Sequence, residues 1–181
     1  MNISMKIFFL YFLIILSVLS LQTSYADRIV SSQQLVEDLY GDLVVISMKE
    51  LSTDEQETKL KNLFEKYVDI PIIARAVLGK SWREANSDQR KRFIDAFKGY
   101  VSNKYGRQFS EFKGTTLEIV KSRDTLTKAG VLVSTEVVVP GNPPLKVVWQ
   151  ISDGSGALKL VDLRVEGISM LSTERQEFRS K

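Results

Sequence analysis

Neither cysteine nor histidine occurs among the 181 residues. Their absence removes thiolate and imidazole metal ligands, thiol nucleophiles and every Ser-His or Cys-His pairing, and with them most hydrolase mechanisms. It also removes disulfides and any lipid-modified cysteine, so the folded chain depends on its core alone. Proline is scarce, at four residues, and three of these, Pro140, Pro143 and Pro144, crowd one short stretch. Long blocks of one charge sign are missing: 25 Lys and Arg face 22 Asp and Glu, for a formal net charge of +3. So small an excess, part of it Lys6 near the start, is a solvated face and gives no footprint for nucleic acid. Phosphate-cradling glycine loops are absent too. Gly154-Ser155-Gly156 stands between strands without the Lys-Ser/Thr pair and helix such a loop needs, and reads as a hairpin tip.

Long apolar runs occur only at the beginning. Lys6 precedes an apolar stretch from Ile7 to Leu16 that resumes at Val18 and Leu19, and Ser24-Tyr25-Ala26 closes it. These are the three parts of a secretory signal, with small residues three and one positions before a cut between Ala26 and Asp27. The stretch is short for a membrane span, which needs about 20 residues. Residues 1–26 are therefore expected to be a cleaved signal peptide and residues 27–181 a single domain. A domain of that size buries roughly 70 % of the surface its unfolded chain exposes, enough for a core without staples.

Helical periodicity opens that domain. Leu35, Leu39, Leu43, Ile46 and Leu51 recur at helical spacing, with Val36, Val44 and Val45 broadening the stripe. Thr53 and Gln56 have the spacing of a capping box, ahead of a second helix that buries Leu60, Leu63, Phe64, Tyr67 and Val68. Pro71 restarts the chain, and a short apolar helix through Ile72, Ile73, Ala76, Val77 and Leu78 stops at Gly79. Asn86 and Ser87 can cap a fourth helix, whose one face is almost wholly aromatic: Phe93, Phe97, Tyr100, Val101, Tyr105, Phe109 and Phe112.

After Gly114 the period changes to alternation. Leu117–Val120, Val131–Val139, Lys146–Ile151 and Leu158–Val165 read as four strands, and the Pro140–Pro144 and Asp153–Gly156 turns between them favour antiparallel pairing. Ser172 can cap a terminal helix reaching Phe178. Helices first and strands later give an α+β fold: N-terminal helices on one side of a curved antiparallel sheet of about four strands, with a short C-terminal helix.

Few polar groups in this pattern suggest catalysis. Asp54, Glu55 and Glu57 start a helix, where negative charge offsets the helix dipole. Asp162 and Glu166 share one face of the last strand, and hydrogen bonding or a pair with Arg164 or Arg175 accounts for them. The informative feature is apolar: four helical stripes and a valine-rich sheet either close on each other or close imperfectly around a hydrophobic guest.

Several segments, in order and spacing, resemble the MlaC family of periplasmic phospholipid-binding proteins, also called the toluene-tolerance family. They are Val77-Leu78-Gly79 with Trp82-Arg83; Gln89-Arg90 with Phe93, Phe97, Tyr100 and Tyr105; Gly114; Pro143-Pro144 before Lys146-Val147-Val148-Trp149; and the closing Asp162-Leu163-Arg164-Val165-Glu166-Gly167-Ile168-Ser169-Met170, with Arg175 and Phe178. Leu158 and Val161 depart from it, since members often carry an aromatic residue and a tyrosine there. The resemblance implies a periplasmic phospholipid carrier that shuttles lipid between outer and inner membranes, maintaining outer-membrane lipid asymmetry. The resemblance further implies that it is not an enzyme, uses no cofactor and holds phospholipid only as cargo. The implied partners are an inner-membrane ABC transporter of the Mla type and an outer-membrane lipoprotein of the MlaA type associated with porin, met by a monomeric carrier. Its apolar pocket would be lined from faces that converge between helices and sheet: Ile46, Phe64, Val68, Ile73, Val77, Phe97, Val101, Tyr105, Val133, Val147, Trp149, Val165 and Ile168. Two alternatives stand beside it, a carrier for a hopanoid or other polycyclic lipid, and a small cone-shaped isomerase-like enzyme using Asp162 or Glu166.

Overall fold

The structure, a computed structural model, describes residues 26–49, 51–106 and 112–179. The expected leader, apart from Ala26, and Phe109 of the aromatic face lie outside the described residues. Among the described residues six helices and five strands follow in chain order: α1 (26–47), α2 (Thr53–Tyr67), α3 (Ile70–Leu78), α4 (Lys80–Glu84), α5 (Ser87–Gly106), β1 (Thr116–Asp124), β2 (Val131–Val138), β3 (Leu145–Ser152), β4 (Lys159–Val165), β5 (Ile168–Ser169) and α6 (Met170–Arg179). The strands form one antiparallel sheet in the order β1-β2-β3-β4-β5. This is the expected α+β arrangement with one strand more than four. The extra strand exists because Glu166 and Gly167, both at positive φ, reverse the chain and fold Ile168 and Ser169 back onto β4.

Strand β1 runs past the expected Val120 to Asp124. The register shifts between Ile119 and Lys121, leaving Val120 60 % exposed. A bulge changes the phase of the alternation, so the second half of the strand no longer looks like a continuation of the first.

Helix starts also moved. The capping box at α2 uses Ser52 and Glu55, not Thr53 and Gln56: the Ser52 amide donates to Glu55 Oε2 at 2.9 Å and the Glu55 amide donates back to Ser52 Oγ. Both pairs have the right spacing, but glutamate brings a negative charge to the helix N-terminus. At α6 the cap is Ser169, whose Oγ accepts from the Ser172 amide at 3.0 Å, so Ser172 lies inside the helix. Gly79 ends α3 as expected, at φ 58°, but the chain at once forms the single turn and a half of α4. Helix α5 ends at Gly106, and Phe112 follows beyond the break in the described chain. Val45, read as part of the buried stripe of α1, is 51 % exposed.

Three sets of contacts hold the helices in place, one on the sheet and two between helices. Helix α1 runs antiparallel to β1: Arg28 reaches Asp124 at its far end and Asp153, Gln33 bonds Ser122, and Tyr40 hydrogen-bonds Thr115 at the near end. Helix α2 is tied to α1 by the Tyr67 hydroxyl donating to Asp42 at 2.6 Å. The aromatic face of α5 closes on α6, where Phe178 stands edge-on to Phe93, Phe97 and Tyr100 with centroids 5.5–5.8 Å away.

On the sheet, Val131, Val133, Thr135 and Val137 of β2 turn inward beside Val147, Trp149 and Ile151 of β3, all buried. Thr135 interrupts the valines for a reason. Its hydroxyl accepts from the Trp149 indole N–H at 3.0 Å and donates to the Val147 carbonyl at 3.1 Å. Replacing it with valine keeps the shape and strands a buried indole donor, which costs about 1–3 kcal/mol. Thr135→Val is expected to lower the denaturation midpoint accordingly while Thr135→Ser stays close to wild type; equal stability of T135V and T135S in urea unfolding would show that the bond contributes nothing.

Candidate functional site

Helices and sheet do not close completely. Between them lies a cavity of about 350 Å³, inside the range of roughly 300–1,000 Å³ usual for ligand pockets. Its wall takes Leu39 and Leu43 from α1, Leu63 and Phe64 from α2, Val68 just beyond, Ile70 and Ile73 from α3, and Phe97, Val101 and Tyr105 from α5. The sheet supplies Val137, Leu145, Val147, Trp149, Leu160, Val161, Asp162, Leu163 and Val165, and the far side is closed by Phe112, Met170, Leu171 and Glu174. The helical stripes and the inward positions of the strands converge here because each element has only this one apolar face to bury. Exposure along the wall rises from 2 % at Phe97 to 39 % at Leu145, so the hollow reaches from the core to the surface.

Nine of the thirteen residues named from the sequence stand in this wall: Phe64, Val68, Ile73, Phe97, Val101, Tyr105, Val147, Trp149 and Val165. The other four do not. Val77 and Val133 are fully buried in solid packing, Ile46 packs half-buried at the edge of the core, and Ile168 on the short strand β5 is 61 % exposed. Sequence reasoning missed the contribution of α6. One signal was present: Leu171, Glu174 and Phe178 follow each other at helical steps of three and four, which sets a carboxylate on the buried face of that helix.

Among the lining residues only Asp162 and Glu174 carry charge. Asp162 is held by the start of α6: Ser169 Oγ donates to both its oxygens, the Leu171 amide donates to Oδ1 at 3.1 Å, and Arg164 pairs with Oδ2 at 3.3 Å. Glu166, the other carboxylate of the enzyme alternative, is exposed and takes the Lys146 amide at 2.6 Å. Both are spoken for by structural hydrogen bonds. Glu174, 3 % exposed, accepts from the Tyr105 hydroxyl and from Lys104 Nζ, the latter at 2.7 Å, both on Oε1. Lys104 also donates to Glu177 at 2.6 Å and to the Tyr100 hydroxyl at 2.9 Å. No group of three or more metal-ligating side chains occurs among the described residues.

This cluster has a definite proton affinity. Burial and the hydrogen bond to Glu174 push the Tyr105 phenol above its ordinary value of 10.0. For Lys104 burial works downward, but the bonds to Glu174, Glu177 and Tyr100 outweigh it and hold the ammonium above the ordinary 10.5. In both cases the unfolded chain releases its proton first, so the stabilisation is complete below about pH 10 and declines as pH rises through the folded values. Thermal unfolding is therefore expected to show no pH dependence from these groups around neutral pH and a falling midpoint above pH 10, with a shallower fall in Tyr105→Phe. An identical alkaline slope in the two proteins would contradict this account.

Comparison with known proteins agrees with the architecture. The family model described as MlaC protein matches residues 33–181. The intermembrane phospholipid transport system binding protein MlaC of Haemophilus influenzae is 21 % identical over 143 residues, covering 77 % of this chain and 67 % of that protein. A phospholipid-binding protein from Ralstonia solanacearum, solved in complex with a phospholipid, superposes with a TM-score of 0.67 at 16 % identity, over 84 % of this chain and 85 % of that one. The last likeness shows the shared fold, and the family match spans nearly all of the described chain: the protein belongs to the MlaC family.

Proposed function

We propose that the chain is a phospholipid carrier that works between two membranes, holding acyl chains in the apolar cavity without any covalent step. The observation that carries this reading is the cavity itself, a hollow with an almost wholly hydrocarbon wall that reaches the surface. Each methylene transferred from hydrocarbon to water costs about 0.8 kcal/mol, so exposing a 16-carbon tail costs on the order of 10 kcal/mol. Unassisted passage through water is negligible at that cost. Walls as apolar as the bilayer interior remove most of it, and a charged headgroup stays where water can reach it. The Haemophilus relative is named for intermembrane phospholipid transport, and the Ralstonia structure holds a phospholipid on the same fold; both support the assignment.

The setting that fits is the periplasm, reached through the signal segment read at residues 1–26. Among the described residues no helix is long and apolar enough to cross a membrane. Exchange partners would be membrane complexes of the Mla system, an inner-membrane transporter and an outer-membrane lipoprotein.

Native mass spectrometry of the protein purified without detergent, followed by lipid extraction, tests the reading. Bound phospholipid is the expected result. A polycyclic lipid would change the cargo, and a protein that stays empty when offered phospholipid would overturn the assignment. Val101→Phe and Val147→Phe, which fill the hollow from opposite walls, are expected to lower lipid occupancy at least severalfold while leaving the circular dichroism spectrum intact.

A further inference from the structure

The small net charge of the chain is unevenly placed. On the exposed surface of α3, α4 and α6 stand Arg75, Lys80, Arg83, Arg175 and Arg179, against a single exposed carboxylate, Glu84. That excess of four on three helices is larger than the +3 of the entire chain. Gly79 is the centre of the group. Arg75 lies one helical turn before it, its carbonyl accepting the Gly79 amide, and Lys80 and Arg83 follow on α4. From α6, one turn apart, Arg175 and Arg179 bring their Nη2 atoms to 3.7 and 3.9 Å from the position a Cβ on Gly79 would take. None of the five forms an ion pair among the described residues, although six other Lys and Arg side chains do.

Charges of one sign gathered in this way repel one another and project a positive potential that a surface of opposite sign relieves. A specific protein interface also needs an apolar centre from which water is excluded. This face has none: of the large apolar side chains that stand exposed among the described residues, not one is on α3, α4 or α6. The headgroup layer of an anionic bilayer asks for charge alone. We infer that the face formed by α3, α4 and α6 is a docking surface for a membrane containing anionic phospholipid, on which the protein settles electrostatically. None of the five cations lines the cavity, so docking is independent of what the cavity holds. The surface brings the protein to a bilayer, and the cavity handles cargo.

Co-sedimentation with two kinds of vesicle tests this, one of pure phosphatidylcholine and one of phosphatidylcholine mixed with phosphatidylglycerol, in about 0.1 M salt, where the Debye length is about 10 Å. Each basic residue held at an anionic membrane surface strengthens partitioning roughly fivefold. Wild type is expected to favour the mixed vesicles by roughly a hundredfold, and to lose that advantage as salt rises. Arg175→Gln combined with Arg179→Gln is expected to weaken binding to the mixed vesicles by about tenfold or more. Lys121→Gln combined with Arg123→Gln removes as much charge from β1, four strand spacings of about 4.8 Å from β5, and is expected to stay within about twofold of wild type. Equal binding of wild type to both vesicles, or equal losses in the two double variants, overturns the proposal. It leaves the carrier reading intact, because pure phosphatidylcholine offers the cavity the same acyl cargo. Salt-sensitive binding to poly-glutamate with none to the mixed vesicles also overturns it and gives the surface to an acidic protein. The four substituted side chains are exposed and form no ion pair among the described residues, and the wild-type comparison needs no variant at all.

Discussion

Two layers that each present an apolar face normally close until water and void are gone. Here they stop short, and the constraint on everything else is that the remaining hollow of about 350 Å³ must be held open. In mutational series an unfilled apolar cavity costs about 24 cal/mol per Å³, so an empty hollow of this order weighs several kcal/mol against the fold. The ties therefore sit around the hollow, not across it. Arg28, Gln33 and Tyr40 fasten α1 along β1, Tyr67 fastens α2 to α1, and Phe178 locks α6 into the aromatic face of α5. Each joins neighbours at the periphery, where polar or ring contacts can form without filling the centre. Cargo that occupies the space stabilises the folded state by mass action, linking load to stability.

Much of the architecture was legible because it obeys the two periods of regular structure. The stripe of Leu35, Leu39 and Leu43 and the alternation of Val131, Val133 and Val137 each have one interpretation, and they gave the element order and the layers. Prediction went astray where a single residue changes the phase or where two residues compete for one role. The bulge at Val120 concealed the second half of β1, and the adjacent pairs Ser52–Glu55 and Thr53–Gln56 offered the same spacing for one cap.

The cavity wall was legible only in part, for a different reason. Periodicity says that a side chain faces inward but not whether it meets another side chain or open space. Val77 and Val133 face inward as strictly as Val101 and Val147, yet the first two lie in solid packing and the second two border the hollow. That distinction depends on how far apart the layers stand, which no one segment encodes. Glu174 is the opposite case. A carboxylate between Leu171 and Phe178 on a buried helix face breaks the local pattern, and Lys104 and Tyr105, which meet it from α5, account for its place there.

The kink in β1 carries a consequence beyond register. This strand forms one margin of an open sheet, and such a margin offers unpaired amides and carbonyls to any passing chain. With the ladder out of step at Val120 and Glu118, Lys121 and Arg123 around it, an incoming segment meets charged side chains and a broken hydrogen-bond rhythm. A protein with a greasy interior and no cysteine cross-links is thereby protected against stacking edge to edge into fibres, even at moments when its hollow stands unfilled.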